Sequence, residues 1–194
     1  MALSYATSTI VSDAFRQMEL DPISSFAEDS EQATAAAEAF PEAMNQCLER
    51  MDWSFASKFV ELSEAPSLPV DANLPFSYVR PGDLVRLIEV QPFTVKFRLD
   101  QDALRADQGA PLTIRYMMKI TDDAKLPALF KRAVALRLAA NLALRWTSST
   151  RTKYLESAAE MAIRDAMRGD RNTASMQNYN GEDFAPMWAD EALS

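Results

Sequence analysis

Residues 126–146 read LPALFKRAVALRLAANLALRW, and this stretch decides the fold class. Leu126, Leu129, Phe130, Ala133, Val134 and Leu138 recur at the three- and four-residue spacing of a helix. Leu136, Ala140, Ala143 and Leu144 widen the apolar arc. So wide an arc predicts burial on two sides, against the chain's own core or a neighbouring subunit. Thr147-Ser148-Ser149-Thr150 then breaks this helix and caps a second one, predicted from about Arg151 to Arg168. Leu155, Ala158, Ala159, Ala162 and Ala166 give that helix a narrow, small-residue face suited to close packing. Gly169 is placed to end it, because glycine adopts the left-handed conformation of a C-terminal cap without strain.

Towards the N-terminus, Ile10, Val11, Ala14, Phe15 and Met18 predict an amphipathic helix from about Thr7 to Glu19, stopped at Asp21-Pro22. Asp29-Ser30 offers a cap to an Ala- and Glu-rich helix ending near Phe40. Pro41 suits the first turn of a further helical segment, running through Met44, Leu48 and Met51 to about Trp53. Four prolines between Leu62 and Pro81 predict extended chain and exclude a helix there. Leu84 to Val90 reads as a strand or a short helix. Val95, Phe97 and Leu99 alternate with polar residues, as do Leu112, Ile114 and Tyr116; the period of two predicts half-buried strands pairing across Asp100–Ala110. The expected class is therefore mainly α with a small β insertion (α+β). A helical bundle is built from 1–61 and 125–169, a short antiparallel β unit spans 62–124, and an extended C-terminal arm covers 170–194.

Composition excludes several kinds of chemistry. The 194 residues contain no histidine and one cysteine, so neither a Cys/His zinc site, nor an internal disulfide, nor a histidine general base can be assembled. Cys47 lies at helical spacing among apolar residues and reads as a small buried hydrophobe. The net charge of −8 disfavours a surface that grips DNA phosphates, while an acidic surface suits a protein that lets DNA pass without holding it. The densest basic run, Lys131-Arg132 with Arg137 and Arg145, reads as a solvated helix margin. No stretch approaches the length of an apolar membrane span and the start lacks a signal-peptide pattern, so a soluble protein of the cytoplasm, unprocessed and cofactor-free, is expected. Carboxylates such as Asp122-Asp123, or Glu156 with Glu160, would be the candidates for a metal-dependent nuclease; a helix-start cap and a solvated helix face are the simpler readings.

Beyond Gly169 the chain is polar and acidic, yet it carries Tyr179, Phe184, Met187 and Trp188. Disordered tails usually lack large aromatics. A terminus whose aromatics fold back on the domain and an arm ordered by a partner both accommodate them.

Several ordered motifs carry a resemblance. Ile23-Ser24-Ser25-Phe26 precedes Asp29-Ser30-Glu31-Gln32-Ala33, and Leu48-Glu49-Arg50-Met51-Asp52-Trp53-Ser54-Phe55-Ala56 follows. Tyr78-Val79-Arg80-Pro81-Gly82-Asp83-Leu84-Val85-Arg86 comes next, then Ile114-Arg115-Tyr116, Leu129-Phe130-Lys131-Arg132-Ala133 and Arg137-Leu138-Ala139-Ala140-Asn141-Leu142-Ala143. In order and spacing this set is similar to the head-to-tail adaptor family of short-tailed phages, which includes podovirus tail tubular protein A and the adaptors of gene transfer agents. Gly82 stands where that pattern has Ala or another small residue.

Physically the motifs read as scaffold. Trp53 and Phe55 are apolar anchors between the helical part and the β unit, and Pro81 sets a turn in which Asp83 can accept backbone hydrogen bonds. Arg86 or Arg137 is available to pair with an acidic residue of that turn.

The resemblance implies a virion protein of the neck, assembled in the host cytoplasm. Twelve copies would form a ring beneath the portal protein, extend the channel through which double-stranded DNA passes without specific binding, and dock the next tail nozzle or tube protein. It also implies that the C-terminal arm reaches the portal, with Tyr179, Phe184, Met187 and Trp188 as anchors. No membrane partner is implied. A different tail completion or assembly factor, or a carboxylate nuclease, would be the competing classes.

Overall fold

In a computed structural model, residues 9–65, 71–109, 111–120, 122 and 125–173 are described. The class is α+β: helices α1 (Thr9–Gln17), α2 (Glu31–Leu48), α3 (Ala128–Trp146) and α4 (Ser149–Thr173) enclose one core, and six short strands form a second unit. Helix α3 is the axis of the bundle and packs against α1, α2 and α4. Ten of its residues, from Phe130 to Ala143, are buried, as its wide apolar arc requires.

The helix ends follow local chemistry. The Ser30 hydroxyl accepts from the Ala33 N–H at 3.1 Å and caps α2. Ser148 does the same for α4 through the Arg151 N–H at 3.3 Å. Helix α1 stops before Pro22: Leu20 N–H returns to Phe15 O and Glu19 N–H to Arg16 O, with Glu19 at φ 63°. That is a Schellman ending with glutamate in the left-handed position usually given to glycine. Arg151 of α4 completes it by donating twice to Gln17 O, at 3.2 and 2.6 Å.

Three helix expectations need correction. Pro41 does not open a new segment; it lies inside α2, which is continuous from Glu31 to Leu48. Ala33, Ala36, Phe40, Ala43, Met44 and Cys47 bury one unbroken face on both sides of the proline, and this packing outweighs the backbone bond that proline removes. The helix also ends at Leu48, five residues before Trp53, whose extended backbone leads into a 3-10 turn at Ser54–Ala56. Gly169 does not terminate α4 either, which continues to Thr173. Its value is space: a Cβ there would stand 2.6 Å from Leu129 Cδ1.

The strands are β1 (Ser57–Leu62), β2 (Phe76–Val79), β3 (Leu84–Gln91), β4 (Phe97–Leu99), β5 (Ala103–Ala106) and β6 (Leu112–Met118). They form two antiparallel sheets, ordered β1-β6-β3 and β2-β5-β4. Thus 97–99 and 112–118 do not pair across Asp100–Ala110 as expected; they belong to different sheets. Asp100 explains the difference. Its N–H donates to Ala103 O, and its carboxylate takes Arg98 and Arg105, both at 2.8 Å, closing a tight hairpin that puts β5 beside β4. Strand β6 instead takes the centre of the other sheet, between β1 and β3, with Leu112, Ile114 and Tyr116 buried on one face and Thr113 and Arg115 half-buried on the other. Leu112, Ile114 and Tyr116 meet Tyr78 and Leu104 of the other sheet, while Met117 joins the helical core. Residues 63–65 run on from β1 to bond β2, through Ala65 N–H to Ser77 O and Val79 N–H to Ser63 O, linking the two sheets.

Candidate functional site

The motif residues converge where α2 hands the chain to β1. Trp53 is fully buried, and its indole N–H donates to Cys47 O at 3.0 Å, satisfying the last turn of α2. Phe130 of α3 meets Trp53 edge-on, ring centroids 4.9 Å apart, and meets Phe55 at the same distance. Trp53 and Phe55 are 5.6 Å apart, so three rings close on one another in tilted and edge contacts favourable to aromatic quadrupoles.

Polar bonds reinforce the same seam. Asp52, beside Trp53, pairs with Arg86 of β3. In the turn, Pro81 O accepts from Leu84 N–H at 3.1 Å. The Asp83 carboxylate accepts from the Tyr116 hydroxyl at 2.8 Å and from Lys58 Nζ at 3.5 Å. Burial first, and the Asp83 carboxylate second, push the Tyr116 phenol above its usual value. Two expectations are corrected here. Neither Arg86 nor Arg137 serves Asp83, and the Asp83 side chain receives side-chain donors; its backbone carbonyl is what accepts the Lys119 N–H, at 2.6 Å. The aspartate that Arg86 finds, Asp52, lies in a different motif, and nothing in the spacing of either stretch signals that meeting.

Arg137 reaches α4 instead. It and Arg50 both donate to Oε1 of Glu160. Partial burial acts to raise the Glu160 carboxyl, but the two guanidiniums outweigh it and hold the group below the usual carboxylate range. Close by, the buried Cys47 thiol is pushed up to about 12 by loss of solvent, so it is a packing group with no thiolate to react. Tyr78 sits apart from the seam, buried between the sheets with its hydroxyl on Gln108 O at 3.0 Å.

Neither a family model nor a curated protein matches the chain. The site must therefore be judged on its geometry. Apart from Arg86 Nε, which is buried without a hydrogen-bond partner among the described residues, the polar groups named at the seam are bonded within the chain, an arrangement that fixes two units against each other. Of the carboxylates that suggested a nuclease, Glu160 is held by two arginines, Glu156 is exposed, Asp122 lies 3.8 Å from Lys125, and Asp123 is outside the described residues. Among the described residues no group of three or more Cys, Asp or Glu is placed to hold a metal ion, and no helix is long and apolar enough to cross a membrane.

Sequence reasoning overlooked one anchor. Asp170 accepts from the Ser54 N–H at 3.0 Å and from the Ser54 hydroxyl at 2.7 Å, pinning the end of α4 to the same seam. Thr173, the last of the described residues, follows three residues later. The arm residues Tyr179, Phe184, Met187 and Trp188 lie outside the described residues.

Proposed function

We propose that the chain is a non-catalytic structural protein of a virus particle: the head-to-tail adaptor of a short-tailed phage or gene transfer agent. One observation carries the reading. Motif stretches from Asp52 to Phe130 meet at a single helix–sheet seam, through Asp52–Arg86 and the rings of Trp53, Phe55 and Phe130, with Asp83–Tyr116 fixing the turn beside it. Several of the stretches that resemble the adaptor family thus set the bundle against the β unit, while Tyr78 packs between the sheets and Arg137 ties α3 to α4. A ring subunit depends on such a rigid joint, because small angular errors between its two halves accumulate around a closed circle.

In this reading, copies of the chain close into a ring of twelve under the portal, widen and extend the DNA channel, and present a surface to the next tail protein. The free chain is monomeric and the portal templates its assembly. Residues 174–194 leave from the corner pinned by Asp170 and Ser54, and Tyr179, Phe184, Met187 and Trp188 supply large contact areas for the portal. The test is a chain truncated after Thr173, mixed with portal rings from the same particle and followed by sedimentation. Binding is expected to disappear with the arm; undiminished binding removes the arm from the proposal.

A further inference from the structure

Charge is divided unevenly over the bundle. Residues 9–56 contain ten Asp and Glu against two Arg, whereas residues 125–173 contain ten Lys and Arg against four acids. The acids of α2 and its C-cap form a spine: Glu31, Glu38, Glu42 and the cap residue Glu49 recur at spacings of seven and four, opposite the buried face of the helix. Glu31 is taken by Arg145, but Glu38, Glu42 and Glu49 have no cationic partner among the described residues. Beside this spine runs a groove between α2 and α3, from which Leu144 protrudes with 79% of its surface exposed.

Helix α4 carries the opposite character. Lys153 and Arg164 point outward with no carboxylate partner among the described residues, and Arg168 leans only on Asp165 at 3.8 Å. Tyr154 and Met161, one heptad apart, lie beside these cations and are each 56% exposed. Glu160, which is held by Arg50 and Arg137, is about 100° around the helix from Met161, so the exposed Met161 lies to one side of that internal contact.

We infer that these two surfaces are the two sides of one contact between copies of this chain: the Tyr154–Met161 face of α4 in one copy seats on the Glu38, Glu42 and Leu144 groove of the next. Apolar side chains meet apolar side chains and unpaired cations meet unpaired acids. Because the two surfaces differ and are carried by different helices, the contact is heterologous, the kind that propagates head to tail and closes into a ring. The inference deepens the ring reading above and rests on it. Duplex DNA is the weaker occupant for the α4 face, since phosphates make no use of Tyr154 and Met161 and offer nothing to the acidic groove.

Crosslinking of the full-length chain tests this, and the buried Cys47 thiol stays silent in it. Because the portal templates the ring, Met161→Cys and Leu144→Cys variants, one of them mass-tagged, are mixed on portal rings from the same particle with a short bismaleimide. The mixed product is expected to exceed either self-pair, and a chain carrying both substitutions is expected to give a ladder of oligomers. No mixed product, or self-pairs in equal yield, overturns the inference. Glu38→Lys with Glu42→Lys on the Leu144→Cys partner should abolish the mixed product, and Lys153→Glu with Arg164→Glu on the Met161→Cys partner should restore it; failure of the swap to restore it also counts against the contact. Retention of duplex DNA that is lost in Lys153→Glu with Arg164→Glu, without any ladder, assigns the face to nucleic acid instead. The two readings separate cleanly: portal-bound rings that do not crosslink at these positions overturn the contact alone, and a ladder from a chain that never rings a portal overturns the adaptor reading alone.

Discussion

Replacing Phe130 by alanine removes the ring on which the bundle and the β unit meet. Phe130 is 1% exposed and touches Trp53 and Phe55 edge-on, each at 4.9 Å. Truncation of a buried phenylalanine costs about 3–5 kcal/mol, and each lost aromatic pair accounts for about 0.5–1.5 kcal/mol of that. The site has little freedom to collapse, because α3 is clamped by α1, α2 and α4 on its other sides. The expected loss is therefore about 4 kcal/mol, a large share of the roughly 5–15 kcal/mol that holds a domain folded. For a chain of this length the melting temperature should fall by about 10 °C. Urea unfolding followed by tryptophan fluorescence and by circular dichroism at 222 nm reads both the stability and the coupling. A single shared transition is expected in the parent, shifted to lower urea in the variant with its slope unchanged. Phe93→Ala is the control; Phe93 is 78% exposed, and its loss should cost under about 0.5 kcal/mol. A Phe130→Ala loss no larger than that of the control refutes the claim that the three rings join the two units.

Other consequences are accessible to simple assays. Cys47 should resist a thiol reagent at pH 8 in the native chain and react fully in denaturant, because burial lifts its thiol to about 12; rapid native labelling contradicts its placement. Glu160 and Asp100 have carboxyls held below their usual values, Asp100 by hydrogen bonds from Arg98 and Arg105. Their contribution is present above the unfolded carboxylate range and is lost as pH falls through the lowered folded values, so stability should decline in acid. The Glu160→Gln chain should show a shallower acid decline in urea titrations between pH 6 and pH 3; because the carboxyl is 39% exposed, the effect is that of a screened surface pair, at most about 1 kcal/mol. Tyr116→Phe deletes the hydroxyl that Asp83 accepts and should cost about 1 kcal/mol by the same unfolding assay, with the sheet content unchanged.

The helices were legible because periodicity is a local signal. Ile10 to Phe15, and the arc from Phe130 to Ala143, carry their burial pattern within a few turns. The sheets were legible only in part. Strand β1 contains Phe59, 58% exposed on an edge, and Lys58 on the same short run, so its alternation is blurred. Strand β5 has four residues and stays below any reliable period. Pairing is decided by contacts that alternation does not report: Asp100 clamps one hairpin with two arginines, and β6 pairs with β1 and β3, which lie far from it in the chain. Pro41 and Gly169 misled for the same physical reason. Each has a strong local preference, as a helix start and a helix end, and tertiary context overrides it: the buried face of α2 runs unbroken past Pro41, and α4 runs past Gly169 to the grip of Asp170 on Ser54. At the seam, the importance of Trp53 and Phe55 could be read from their size and place. Their partner Phe130, the pairing of Asp52 with Arg86, and the grip of Asp170 on Ser54 could not, because each joins segments distant in sequence.

The adaptor reading itself is tested most directly by negative-stain microscopy of the full-length chain mixed in excess with portal rings from the same particle. The account predicts a second, coaxial ring of twelve subunits stacked on the portal, with an open channel continuous through both. Portal rings that gain no density at any excess of the chain contradict it.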